Sequence, residues 1–216
     1  MNKAIILLSG GLDSLVALDI ARCENKIELA LNFNYGQLNF KEENEAAKNI
    51  AKYYNIKIET IDLPYLKKLS NGALTNPNNK NNDDFLSVWI PNRNGLFLNI
   101  AASYCDSLNF DRIIIGANKK EAIDFSDNSA DFIKAINESF KYSTQVHPKV
   151  IAPCMNFDKV DMINYAIDNS VPLKFIKSCY APKQGNKAHC GKCMSCKLLF
   201  EAVKNSKKPE IIKEIR

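Results

Sequence analysis

The chain has 216 residues, 46% of them hydrophobic, and 29 lysines and arginines against 24 acids give a net charge of +5. That is enough chain for one full core with a small appendage, and so modest a basic excess suits anionic small molecules while arguing against stable nucleic-acid binding. No apolar run reaches membrane-spanning length, Ala4 to Leu8 is too short for a secretory leader, and the crowding of four of the seven cysteines near the C-terminus fits a metal in a reducing, cytoplasmic compartment better than disulfides.

In chain order, Lys3 to Leu8 is a continuous apolar run of the kind that forms a buried parallel strand. Asp13 to Cys23 reads as a helix, with Leu15, Leu18 and Arg22 at helical spacing. Ile27 to Phe33 is a second strand. Asn39 to Tyr54 is helical, with Glu42, Glu43 and Glu45 in its early turns, where the helix dipole favours acids. Ile56 to Leu63 is a third strand. Residues 71–84 are almost all turn-formers and asparagine, which predicts a mobile surface loop, a lid over a site being the alternative. Pro91 opens a segment whose residues Gly95 to Leu108 read as a helix; Arg112 to Gly116 is another strand, and Asp131 to Tyr142 and Asp158 to Asp168 are helical. Strand alternating with helix predicts an α/β fold, a doubly wound parallel sheet with helices on both faces, over residues 1–170. The tail, 171–216, leaves that rhythm and is expected to pack on the body as a small cysteine-rich segment.

Between the first strand and helix lies Ser9-Gly10-Gly11-Leu12-Asp13-Ser14. A glycine turn there lets backbone amides and a helix N-terminus approach an anion, and two serine hydroxyls can add hydrogen bonds. Neither G-x-x-x-x-G-K-[ST] nor G-x-G-x-x-G is present, so this is not a Walker loop, and a dinucleotide fold is disfavoured. An acid beside a polyphosphate needs a cation between them, so Asp13 predicts either bound magnesium or a helix cap.

Cys179, Cys190, Cys193 and Cys196 have the spacing of a closed four-thiolate set, which reads as structural zinc. An iron–sulfur cluster is the alternative, although the usual fourth C-x3-C-P cysteine is missing. Cys23, Cys105 and Cys154 stand alone and read as ordinary buried thiols. His189 is either a substitute ligand or a residue behind the ligands.

Other candidates carry plainer alternatives. Arg93, between Asn92 and Asn94, suits a carboxylate or phosphate, or the stretch is only a helix-initiating turn. Tyr35 and Gln37 follow the second strand, on the edge where open α/β sheets bind ligands, or they form an ordinary loop. Asp127 either accepts hydrogen bonds from a guanine-like edge or caps a helix. Lys119, Lys120 and Lys177 either steady phosphates or are solvated.

The Ser9–Ser14 string resembles the signature of the ATP pyrophosphatases of the adenine nucleotide alpha-hydrolase type, whose shared chemistry is adenylation of a substrate oxygen. The ordered set "SGGLDS" at 9, "YGQ" at 35, "PNRN" at 91, "GAN" at 116, "SCY" at 178 and "CGKCMSC" at 190 resembles, along the full chain, the 7-cyano-7-deazaguanine synthase family of queuosine precursor synthesis. The resemblance implies an ATP-dependent carbon–nitrogen ligase with Mg2+ and Zn2+. It would convert 7-carboxy-7-deazaguanine and ammonia to the nitrile through the amide. It implies a nucleotide site at Leu8, Ser9, Gly10, Gly11, Leu12, Asp13, Ser14 and Leu18, and catalytic roles for Ser9, Asp13, Ser14 and Arg93. It implies substrate contacts at Tyr35, Gln37, Asn92, Arg93, Phe125 and Asp127, and a homodimer receiving ammonia free or from a partner. One departure stands out: the family's Y-P-D-C-R is Phe125-Ser126-Asp127-Asn128-Ser129 here, which removes an arginine and a cysteine. One rival is a related adenylating ligase or a tRNA-thiolating enzyme, for which Cys105 and Cys154 are the available reactive pair. Another is a zinc-knuckle RNA-binding module, which would want aromatics beside the cysteines, and residues 183–197 contain none.

Overall fold

Alternation along the first strand, β1 (Asn2–Leu7), sets the architecture of this computed structural model, which describes residues 1–79, 85–181 and 189–215. Ala4 and Ile6, with Leu8 beyond the strand end, face one apolar core, and Ile5 and Leu7 face a second. Strand residues project alternately, so a strand rich in apolar residues on both faces must be covered on both. The strand is central: Ile5 pairs with Leu29 of β2 (Asn25–Asn34) on one side and with Ile113 of β4 (Arg112–Ile114) on the other. With β3 (Lys57–Asp62) and β5 (Lys149–Ile151) the order is β3-β2-β1-β4-β5, every pairing parallel.

Helices α1 (Leu12–Ala21), α2 (Phe40–Tyr53) and α6 (Lys159–Asp168) cover the first face, burying Leu15, Val16 and Leu18, then Ala47 and Ile50, then Met162 and Ile163. Helix α3 (Arg93–Leu108) covers the other face with Leu98, Ala101 and Cys105, beside α5 (Ala130–Ser143) with Phe140. The tail does not stand apart. Val171, Leu173 and Ile176, Leu199 and Val203 of α7 (Met194–Lys204), and Ile215 of α8 (Ile212–Ile215) enter the same core as α1 and α6.

The doubly wound parallel sheet is as expected, but two elements escaped the pattern. β5 has only three residues, too few for a periodicity. The short helix α4 (Lys119–Asp124) buries none of its residues; it is held by its cap, where Asn118 Oδ1 accepts from the Lys120 and Glu121 amides. The expectation of a surface loop over residues 71–84 fails for its first part. Ala73 and Thr75 are buried, and so is Leu74, whose carbonyl accepts from the Leu38 amide, while the Ala73 amide donates to Ser87. Residues 80–84 lie outside the described part.

Candidate active site

The strand order reverses between β1 and β4, and the crevice at their C-terminal ends is where a doubly wound sheet binds its ligand. A cavity of about 300 Å³ opens there. The glycine turn forms one wall. Gly10 has φ +84°, and a Cβ on it would lie 2.7 Å from the Glu43 carbonyl oxygen, so only glycine lets the turn pass over α2. Gly11 caps α1 in an extended conformation, and its amide donates to Ser9 Oγ at 3.3 Å. The Ser9 and Ser14 hydroxyls are 3.2 Å apart, and Ser14 also donates to the Gly11 carbonyl. Gly116, just past β4, completes the crevice: a Cβ there would lie 2.7 Å from the Ser14 amide nitrogen.

Asp13 does not cap the helix; that position is Gly11. Its carboxylate meets the Lys159 ammonium at 2.6 Å, and Glu121 stands 3.5 Å from the same ammonium. Burial alone would lower the Lys159 pKa, but the two carboxylates outweigh it and raise it, so Lys159 stays charged. Burial raises the Glu121 pKa, opposed by Lys159. The cation that the acid required is thus partly built in. Sequence reading missed Lys159 because it opens a distant helix with no motif around it.

The second wall comes from the cysteine segment. Lys177 donates its amide to the Gly10 carbonyl, and Ser178 Oγ accepts from the Leu12 amide at 3.4 Å. Lys177, Ser178, Tyr180 and Ser195 all line the cavity. His189 is buried, with Nε2 accepting from the Ser178 amide and Nδ1 2.9 Å from the Ile215 carbonyl. That pair of partners fixes the neutral Nδ1–H form, and burial lowers its pKa further. His189 is therefore a brace and contributes no ligand to the cysteine group.

The third wall holds the acceptor candidates. Tyr35, Gln37, Arg93, Phe125 and Asp127 line the cavity, joined by Asn94, Glu43 and Trp89, which were not singled out as contacts. Arg93 donates toward Tyr35 Oη at 3.5 Å with its guanidinium over the ring, and to Asn94 Oδ1 at 3.2 Å. Burial pushes the Tyr35 hydroxyl up to about 12 and raises the Asp127 carboxyl, and Arg93 opposes both shifts. Glu43 accepts from Gln37 Nε2 at 3.0 Å and Asn39 Nδ2 at 2.9 Å, and burial still lifts it to about 7.

Some expected contacts are elsewhere. Leu18 is fully buried on α1, in the core, because it sits on the helix face turned from the crevice. Leu12 is buried in that core too, and only its backbone reaches the wall. Asn92 is exposed and left-handed at the start of α3, its side chain lying over Gly95; it serves the helix entry. Lys119 and Lys120 are exposed, Lys120 pairing with Asp124.

The four thiols of Cys179, Cys190, Cys193 and Cys196 converge, all within 4.8 Å of one another, with the Cys190 and Cys196 sulfurs 3.9 Å apart. The Lys192 and Cys193 amides donate to Cys190 Sγ at 3.4 Å, and Gly191, with φ +73°, makes that turn possible. Cys105 and Cys154 are wholly buried in opposite cores, and burial pushes both thiols up to about 12. They are inert and do not meet, which removes the reactive pair a thiolating enzyme would need.

The family model described as "Queuosine biosynthesis protein QueC" matches residues 3–207. A 7-cyano-7-deazaguanine synthase of Carboxydothermus hydrogenoformans is 42% identical over 94% of this chain and 98% of its own. One of Methanosarcina mazei is 37% identical over 94% of each. Among solved structures, a 4-thiouridine synthetase in complex with RNA and bound ATP matches 99% of this chain and 49% of its own, with a TM-score of 0.58 at 20% identity. That last likeness speaks for the fold alone. Among the described residues no helix is long and apolar enough to cross a membrane.

Proposed function

The chain belongs to the QueC family of queuosine biosynthesis proteins, and from that premise we propose that it is a synthase using ATP to turn 7-carboxy-7-deazaguanine and ammonia into 7-cyano-7-deazaguanine. In class terms it is a carbon–nitrogen ligase. The observation that carries the reading is that the Ser9–Ser14 turn and the Arg93 group face one crevice at the switch point of the sheet. A polyphosphate and an acidic acceptor can therefore meet there.

A carboxylate oxygen is a poor leaving group. In the first step that oxygen attacks the α-phosphorus of ATP, and pyrophosphate leaves. The amides of the turn, the Ser9 and Ser14 hydroxyls and the Lys159 ammonium stabilise the departing charge. Arg93 suits the acceptor carboxylate, its guanidinium already oriented by Tyr35 and Asn94. Ammonia then displaces AMP to give the amide, and the same activation of the amide oxygen lets it depart and leaves the nitrile. Both steps are mainly positioning and charge stabilisation. The carboxylates of Asp13 and Glu121 are hard oxygen donors that would hold magnesium, which neutralises phosphate charge when bound.

The cysteine group suits zinc. A Zn–S bond of about 2.3 Å sets tetrahedral sulfurs about 3.8 Å apart, near the Cys190–Cys196 separation. The corners of an iron–sulfur cube would spread the sulfurs further. With all four positions filled by protein, the ion supplies folding energy and no chemistry. We place the enzyme in the cytoplasm as a homodimer that takes ammonia free or from a partner.

The test is ATP-to-AMP turnover with ammonium and a panel of deazaguanine acids, read by mass spectrometry. The expected product is the nitrile of carboxy-deazaguanine, preceded by the amide. Mass change with another acid and none with this one would remove the nitrile assignment and leave adenylation standing.

A further inference from the structure

We propose that Trp89 and Phe125 form the stacking site for the acceptor's heterocycle, with Asp127 reading its edge. The ligand class is a guanine-like ring carrying adjacent ring N–H and exocyclic amino donors, and adenine is excluded. The inference deepens the reading above and rests on it for the identity of the acceptor.

The two rings line the same cavity, 6.1 Å between centroids and 9° from parallel. Phe33 and Phe97, also on this wall, are stacked in contact at 4.0 Å and 6°. The Trp89–Phe125 pair is near-parallel but wider spaced, and both rings border the cavity. A flat heterocycle stacks favourably on aromatic side chains.

Edge chemistry selects the occupant. Asp127 lines the cavity beside the aromatic pair, two residues from Phe125, and its Oδ1 accepts from Asn128 Nδ2 at 3.3 Å. An ionised carboxylate is an acceptor only. It matches two adjacent donors, as on the guanine edge. It opposes adenine, whose ring nitrogen at that edge is itself an acceptor. Burial raises the Asp127 pKa, and the nearby Arg93 guanidinium opposes that shift and favours the carboxylate form.

Placement agrees. Glu121 and Phe125 are joined by a helical hydrogen bond across one turn of α4, about 6 Å of rise. The aromatic pair thus sits one turn from the Glu121–Lys159–Asp13 group at the phosphate end. A ring stacked on Trp89 would share one cavity with Arg93 and with the phosphate end.

Trp89 is the chain's only tryptophan, so its fluorescence reports this site directly. We expect 7-carboxy-7-deazaguanine, added without ATP, to quench it, and a non-hydrolysable ATP analogue alone to leave it unchanged. Quenching by the nucleotide with none by the heterocycle would make this the adenine site and overturn the proposal. In turnover, Trp89→Leu should raise KM for the acid about 10- to 100-fold, with KM for ATP unchanged and Trp89→Phe largely restoring it. An unchanged KM for the acid in Trp89→Leu also overturns the proposal. Should Trp89→Leu not fold, Phe125→Leu with the fluorescence titration replaces it, and undiminished quenching there counts against the pair. The two readings fail separately. A wild type that makes nitrile while Trp89→Leu behaves identically refutes only the stacking site. A wild type that makes none, yet is quenched by the guanine-like ring, refutes only the reaction.

Discussion

Lys159 is the residue on which the phosphate end of the crevice turns. It lies between Asp13 and Glu121, and none of the three is freely solvated. Lys159→Met would leave two carboxylates facing each other with no internal cation. We expect AMP formation to fall about 100-fold or more, as removal of one preorganised charge does elsewhere. The fold should lose a few kcal/mol from the unpaired acids; steady-state assays and urea denaturation check the two effects separately. Glu43 gives a pH prediction. Burial raises its pKa from 4.5 to about 7, so the folded state holds the proton more tightly than the unfolded state does. Its contribution is present in full below pH 4.5 and is lost as pH rises through about 7. Wild type should therefore lose on the order of 1–3 kcal/mol more than Glu43→Gln between pH 5 and pH 8, read from urea midpoints.

At the scale of elements, the cysteine segment acts as a clasp. Cys179 lies between Ser178 and Tyr180, which line the cavity, and its carbonyl accepts from Asn39 Nδ2 at 2.6 Å, the same amide that donates to Glu43. Ser195 sits between two further cysteines and also faces the cavity. Stripping the metal with a chelator should therefore weaken ATP binding about tenfold or more, because Ser178 and Lys177 lose their fixed place beside the turn. Calorimetric titration with and without chelator checks this; strands and helices of the body should persist by far-UV circular dichroism. A milder version is Asn39→Ala, which leaves a buried carbonyl and one Glu43 oxygen unpaired and should cost about 1–3 kcal/mol, measured by thermal unfolding.

Across the whole molecule the chain's far end reaches back to its beginning. Ile215 is buried in the α1 core, and its carbonyl holds His189, which holds Ser178, which meets the first turn of α1. Truncation after Lys208 should lower retention of the metal proposed for the cysteine group and ATP affinity together, although it removes none of the four cysteines; metal analysis of the purified protein checks the first. Much of this was legible in the sequence because it is local. Apolar runs and periodicity follow from a strand buried on both faces and helices buried on one, and the Ser9–Ser14 turn and the cysteine spacing each carry their chemistry within a few residues. β5 and α4 were not legible, one being too short to show a period and the other burying nothing. The side chains of Leu18 and Asn92 do not line the crevice, because adjacency to a motif does not say which way a side chain points. Lys159, Glu121, Ser178 and Trp89 come from four separate segments. Only the parallel pairing of β1 with β4 at the switch point brings them to one crevice, since charge pairing and stacking act through space and leave no mark on the order of residues along the chain.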